Sequence, residues 1–317
     1  MQRALAVPLA FAMLAATLAA GCSAPSERLR LASGPQGGSW YPLAGALKSV
    51  IESRLPGLSV QVLPGGGITN ALAVETNRAQ LAFANSVSTL DAINGQPPFK
   101  ARATQICNVA TLYPQYFQVV TLAGSGLGNP ADFRGRVVST QPRGNTGEAI
   151  TAHLLKAYGI GYEGLAGVSY GSYNDSVTLM KDGSADIFTL GTSIPAAAVM
   201  DLASGRDVNL IDIPDDGLEK MRALNPGYER SVIPAGTYPK QERDVLTIGY
   251  ATHVIARCDL DATVVYQVLD ALYARRDDLA AVTRALRKAT PQSMGRDIGV
   301  PVHAGAAQWY REKGAGS

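Results

Sequence analysis

The sequence predicts an α/β fold in which helices cover largely parallel sheet. Three features carry that expectation. Strand-length apolar runs alternate with helical patterns over most of the chain, the grammar of strand–helix–strand crossovers. Two far longer extended segments, Ile106–Leu122 and Val245–Arg257, interrupt the alternation. Two glycine-rich turns each lead from a short strand into a helix. With 317 residues, 46% of them hydrophobic and 17% charged, the chain can bury one large core or two ordinary ones.

The elements follow in order. Leu29–Ala32 reads as a strand. Tyr41–Arg54 reads as a helix, because Leu43, Leu47, Val50 and Ile51 recur on one face. Leu58–Leu63 is a strand, Asn70–Arg78 a helix, Leu81–Ala84 a strand and Ser86–Asn94 a helix. Beyond the first long segment come a strand at Arg136–Ser139, helices at Thr146–Tyr158 and Tyr173–Lys181, and a strand at Asp186–Thr189. Ser169 and Tyr170 read as the end of a strand beside a cleft, and Asp215-Asp216 as a helix start. Beyond the second long segment the chain ends in helices over Ala262–Ala274, Asp277–Lys288 and Ala304–Arg311, the last capped by His303.

Composition excludes several classes. Lys+Arg (28) nearly balance Asp+Glu (26), which leaves no basic stripe for nucleic acid. His153, His253 and His303 are far apart and lack partners at metal-ligand spacing, so neither a metal nor a cofactor is expected. His153 reads as a satisfied structural histidine. Residues 1–21 have the form of a signal peptide, with Arg3 ahead of an apolar run. Leu18-Ala19-Ala20-Gly21-Cys22 resembles a lipobox, which would make Cys22 a lipidated first residue and 22–29 a tether. The alternative is an ordinary secretory signal with an incidental cysteine. Either places the working part outside the cytoplasm. In an oxidising compartment Cys107 and Cys258 form a disulfide or remain two buried thiols.

The glycine-rich turns are the chemistry-bearing features. Ser33–Tyr41 and Ser139–Glu148 each present backbone amides at a helix start, where unpaired N–H groups and the dipole favour an anion. Either turn alone is a well-capped helix start. Two of them, one opening each half of an α/β chain, point to a ligand held between lobes. Trp40, Tyr41, Tyr113, Tyr116 and Phe117 are candidates for a pocket wall, with core packing the plainer role. Gly167-Val168-Ser169-Tyr170-Gly171 matches the nucleophile elbow of hydrolases, with His253 downstream. The preceding Gly161-Tyr162-Glu163-Gly164 makes a poor central strand, and no His-Gly-Gly oxyanion segment lies upstream.

An ordered set of motifs adds a family resemblance over residues 30–317. Gly37-Gly38-Ser39-Trp40-Tyr41-Pro42-Leu43 comes first, then Gly65-Gly66-Gly67-Ile68-Thr69-Asn70 and Asp91-Ala92-Ile93-Asn94-Gly95. Asp132-Phe133-Arg134-Gly135-Arg136-Val137-Val138-Ser139 follows, then Met180–Phe188 with Gly191 and Ile194-Pro195-Ala196. Pro234–Pro239 and Pro301–Ala306 close the set. In this order the chain resembles the TAXI family of solute receptors for TRAP transporters.

That resemblance implies a type II periplasmic-binding-protein fold of two α/β lobes. Lobe I would be residues 30–116 with 246–317, and lobe II residues 117–245. It implies a monomer that captures a small carboxylate, such as glutamate, glutamine or 2-oxoglutarate, and docks on TRAP membrane permease subunits. Gly38, Ser39, Trp40 and Tyr41, with Asn70 and Ser86, would hold the ligand from lobe I. Asn145, Thr146 and Gly147, with Gly191 and Thr192, would hold it from lobe II. Crossing strands would also bring Cys107 and Cys258 within bonding reach. The second loop departs from the family's P-G-S-G-T-E, reading Arg143-Gly144-Asn145-Thr146-Gly147-Glu148, and Trp40 stands where Tyr is common. Arg143 is thereby a candidate clamp on a ligand carboxylate, or a solvated arginine on the loop shoulder. A serine hydrolase and a sensor receptor without uptake are the other functional readings.

Overall fold

The computed structural model describes residues 27–34 and 39–315. The signal segment, Cys22 and Gly38 lie outside them. The first half of the order is β1 (Glu27–Ala32), α1 (Trp40–Arg54), β2 (Leu58–Leu63), α2 (Gly67–Glu75), β3 (Leu81–Asn85), α3 (Ser86–Asn94) and β4 (Ile106–Leu122). Next come β5 (Val137–Thr140), α4 (Thr146–Ala157), β6 (Gly167–Tyr170), α5 (Tyr173–Asp182), β7 (Ile187–Thr192), α6 (Ala197–Gly205), β8 (Val208–Leu210), α7 (Asp215–Arg222) and β9 (Glu229–Ile233). The chain returns through β10 (Val245–Arg257) and ends in α8 (Ala262–Ala274), α9 (Arg276–Leu279), α10 (Pro291–Met294) and α11 (Ala304–Glu312).

One ten-stranded sheet runs β2-β1-β3-β10-β4-β7-β5-β6, with β8 against β4 and β9 against β10. The parallel pairs are β1 with β2 and β3, and β5 with β6 and β7. The long strands β4 and β10 run antiparallel to each other and to their neighbours β7 and β3. The sheet is therefore mixed, not parallel throughout. The reason lies in length: β4 and β10 each serve both halves of the sheet, so the chain crosses once in each direction.

Each half is covered on both faces, as the near-continuous burial of its central strands requires. In the β1–β3 half, α1, α8 and α11 pack Leu43, Leu47, Leu269 and Trp309 on one side. On the other side α2 and α3 pack Ile68, Ala71, Val74 and Ala92. In the β5–β7 half, α4 and α7 contribute Ile150, Leu154, Leu218 and Met221 to one face. There α5 and α6 contribute Val177, Met180, Val199 and Leu202 to the other. Cys107 and Cys258 are bonded, with Cα atoms 5.1 Å apart, and tie the start of β4 to the residue after β10. Among the described residues no helix is long and apolar enough to cross a membrane.

Two sequence expectations need correction, one a broken helix and one a shifted start. The helix expected over Asp277–Lys288 is broken into α9 and a 3-10 turn at Arg284–Lys288. Thr283, preceded by β-branched Val282, takes an extended φ of −134° and ψ of 96° and ends the helical run. The helix expected from Asn70 starts three residues earlier, at Gly67, because Gly66 in extended backbone accepts from Asn70 N–H at 2.8 Å. His303 caps α11 as expected, its Nδ1 accepting from Gly305 N–H. His153 is paired through Nδ1 with the Tyr228 hydroxyl at 2.7 Å.

The two halves also meet away from the crossing strands. Asn225, after α7, donates its amide to Val87 O and Asp91 Oδ1 of α3, each at 2.8 Å. Arg296 pairs with Glu229 of β9 at 2.9 Å.

Candidate functional site

The site begins where β1 and β3 end and α1, α2 and α3 start. Asn70 ties these ends together. Its amide donates to Ser33 O at 2.7 Å and Phe83 O at 2.8 Å, and its Oδ1 accepts from Gly66 N–H. That use of all its groups makes Asn70 a clamp on the loop geometry. Ser86, at the first turn of α3, accepts from Ala251 N–H at 3.0 Å and so joins α3 to β10. Ser39 is exposed at the α1 N-cap and Tyr41 half-buried, while Trp40 is buried against Phe83 with ring centroids 6.0 Å apart.

The second loop arrives from the other half of the sheet. Thr146, the first residue of α4, is buried, and its hydroxyl meets Asn85 Nδ2 at 2.9 Å and Ser88 Oγ at 2.8 Å. The approach is close enough that a side chain on either facing glycine would displace its neighbour. A β-carbon at Gly67 would lie 2.0 Å from Thr146 Oγ1, and one at Gly66 would lie 2.1 Å from Asn145 Oδ1. Thus the starts of α2, α3 and α4, from both halves, converge on one point. Asn145 has extended backbone and makes no side-chain cap bond, so its amide is not spent on its own helix.

A second contact joins the halves at the end of β7. Tyr250 of β10 is buried and lies over Gly191, where a β-carbon would be 2.0 Å from the phenol oxygen. Gly191 O accepts from Tyr173 OH, which in turn accepts from Gln141 Nε2. Burial holds both tyrosine hydroxyls far above their ordinary range, so they stay protonated donors. Gly147 passes so close to Gln141 Oε1 that a β-carbon would lie 1.9 Å from it. Thr192 is half-buried and pairs with Tyr116 in register.

Arg143 sits apart from this convergence. It is exposed, its guanidinium carbon lies 4.7 Å from the Tyr170 ring centroid, and Nη2 donates to Tyr170 OH at 3.1 Å. The hydrolase constellation is not assembled. Ser169 lies on β6, separated from the β10 residue His253 by β5, β7 and β4. Both ring nitrogens of His253 are occupied, Nε2 by Thr89 Oγ1 at 2.8 Å and Nδ1 by Asn108 Oδ1 at 3.0 Å. Burial pulls its pKa down to about 3, which keeps it a neutral core residue.

Sequence reasoning passed over Asn85, Ser88, Gln115, Gln141, Tyr173 and Tyr250, and weighed Tyr113 only as a pocket aromatic. Their signal was faint but present. Gln115 and Thr252 are among the polar residues within the long strands β4 and β10, and polar side chains crowd Asn85–Thr89 from the end of β3 into α3. Among the described residues no cluster of His, Cys, Asp and Glu has a metal-holding arrangement.

Comparison with known proteins agrees with this architecture. The NMT1-like family model matches residues 31–314, nearly the whole chain. The chain belongs to the NMT1-like family. Solved structures place this NMT1-like chain among the periplasmic-binding-protein folds. XAC2383 from Xanthomonas citri, solved with ATP, matches with a TM-score of 0.55 at 12% identity, over 92% of this chain and 96% of that one. PhnD1 from Prochlorococcus marinus, solved with methylphosphonate, matches at 0.51 and 10% identity, over 83% and 90%. An ancestral arginine-binding protein bound to arginine matches at 0.50 and 13% identity, over 83% and 98%. At such identities the shared property is the fold.

Proposed function

We propose that this NMT1-like protein is an extracytoplasmic solute receptor that captures a small carboxylate between its two halves. The observation that carries this reading is the convergence of the α2 and α3 starts with the α4 start, bridged by Asn85–Thr146 and Ser88–Thr146. In the finer form of the reading it is a TAXI-type receptor, tethered through a lipidated Cys22, that passes its ligand to TRAP permease subunits. Helix starts at a ligand supply oriented N–H groups that need no reorganisation on binding. Contacts to both halves exist only when they are closed, so the ligand shifts the population toward closure. Moving from 1:99 to 99:1 takes about 5.5 kcal/mol of differential affinity. Two or three charge-assisted hydrogen bonds at roughly 1.5–3 kcal/mol each supply it.

A thermal-shift screen of amino acids, keto acids and hydroxy acids tests the reading. A carboxylate binding the folded form at 100 times its Kd adds about 2.7 kcal/mol to stability. If no carboxylate raises the Tm or gives calorimetric heat, the capture reading is wrong. Two variants sharpen it. Gly67→Ala leaves an ordinary backbone angle undisturbed but drives a methyl into Thr146. It is expected to weaken the ligand found in the screen by about 100-fold, with the ligand-free Tm within about 2 °C of wild type. Arg143→Ala is expected to leave affinity within about threefold, since the guanidinium is exposed and engaged by Tyr170. A larger loss would place a ligand carboxylate at Arg143.

A further inference from the structure

A polar cluster lies buried beneath the start of α1, where β4 and β10 cross. Its members are Trp40, Tyr113, Gln115, Thr252 and Thr283, each at most 9% exposed. Gln115 Nε2 donates to Thr252 Oγ1 at 2.7 Å, while Gln115 Oε1 has no partner among the described residues. The Tyr113 hydroxyl lies within reach of Trp40, Thr252 and Thr283, but among the described residues neither it nor Thr283 Oγ1 has a partner at full hydrogen-bonding geometry. Buried polar atoms are almost always paired, so three under-satisfied ones in one cluster leave hydrogen-bonding capacity for a small polar group. Each left empty costs about 1–3 kcal/mol.

The location ties the cluster to the proposed binding region. Trp40 opens α1 at the end of the first glycine-rich turn. In the β4–β10 register Gln115 faces Tyr250, and Tyr250 is the residue laid over Gly191. Gln115 thus neighbours, across the β4–β10 ladder, the residue that makes the second contact between the halves. Its chemistry is also restricted, for it contains no charged side chain. Arg143, the cation sequence reasoning would have aimed at a second carboxylate, is stacked on Tyr170 instead. A buried site with no cation rejects a second carboxylate, whose desolvation nothing offsets. It suits a neutral group that both donates and accepts. The Gln115 amide can turn over to offer either end, and the two hydroxyls can take either role.

We propose that Tyr113, Gln115 and Thr283 form a neutral subsite for the far end of the ligand, an amide or hydroxyl group, and thereby select a monocarboxylate over a dicarboxylate. This rests on the capture reading above and makes it specific. Isothermal titration calorimetry with matched pairs tests it: glutamine against glutamate, asparagine against aspartate, and serine as a short hydroxyl ligand. Wild type is expected to bind the best neutral-ended member at least about 100-fold tighter than its dicarboxylate counterpart. Tyr113→Phe and Gln115→Leu are each expected to weaken that ligand by about tenfold or more. Because Gln115→Leu changes the interior, Tyr113→Phe, which removes one oxygen and keeps the ring, is the deciding variant. Its circular dichroism and ligand-free Tm confirm that it folds.

A dicarboxylate bound more tightly by wild type overturns the subsite while leaving capture intact. So does unchanged affinity in folded Tyr113→Phe, which would make the occupant a structural water. Absence of binding by every member, in a protein whose Tm no carboxylate moves, overturns capture and the subsite together.

Discussion

Replacing Cys107 and Cys258 together by serine is expected to lower the unfolding free energy by about 2–5 kcal/mol. The two residues are 151 apart in sequence, and their bond encloses everything between the start of β4 and the end of β10. A loop of that size has a large closure entropy, about 5 kcal/mol by the chain-entropy argument, reduced where the unfolded chain keeps residual structure. At roughly 2–4 °C per kcal/mol for a large domain, the Tm falls by about 4–20 °C. The double substitution avoids leaving one reactive thiol behind. Thermal denaturation of the serine variant beside oxidised and reduced wild type checks the effect. Reduced wild type should match the variant. A Tm within 2 °C of the oxidised protein in both would show that the crossing strands hold without the bond.

Asp91→Asn is expected to stabilise the protein at pH 8 and to have little effect at pH 4. Asp91 is 6% exposed on α3, and its Oδ1 accepts only from the Asn225 amide of the opposite half. No salt bridge among the described residues includes it. Burial raises its pKa from 3.8 to about 7, the Asn225 bond pulling more weakly the other way. Because the native state then holds a proton that the unfolded chain has released, stability falls as pH rises from about 4 to about 7, and levels off above. The span from 3.8 to about 7 corresponds to roughly 4 kcal/mol between the charged and neutral forms. Asparagine keeps an acceptor for Asn225 and carries no charge. The gap in Tm between variant and wild type should therefore widen across that interval. A gap independent of pH would mean that Asp91 stays charged and solvated. Tyr228 borders the same space but titrates far above it, so it does not blur the profile.

Much of the fold was legible along the chain. Ile106–Leu122, Val245–Arg257, Ser86–Asn94 and Ala262–Ala274 have the bounds their composition suggests. They are long or strongly periodic, and no neighbour competes for their residues. The weak elements were missed. Neither β8 and β9 nor α6 was anticipated, and Asp277–Lys288 was mistaken for one helix. Such short pieces owe their form to the strands and helices they cover rather than to local preference.

The site was legible in part for a similar reason. The glycine-rich turn at Ser139–Glu148 announces backbone that must approach something, and it meets Gly66 and Gly67, which enter the sequence reading only as part of a family motif. What it approaches is not announced. Asn85, Ser88, Gln115 and Tyr250 look in sequence like ordinary polar or aromatic residues in strands and helix starts. Arg143 reads in sequence as a clamp or as a solvated arginine, and its contact with Tyr170, 27 residues on, is visible only in the folded chain.

By itself the sequence determined the α/β class, the two crossing strands and the glycine-rich turns that open α1 and α4. Each of these is set by period, by run length or by glycine, which act over a few neighbouring residues. Only the tertiary structure decided which helix starts meet, which polar atoms are left unpaired and which carboxyl is buried without a cation. Those outcomes depend on residues far apart in sequence, as Asn85 is from Thr146, and on how deeply the packed elements bury them. Neither distance in space nor loss of water is written in any local stretch of the chain.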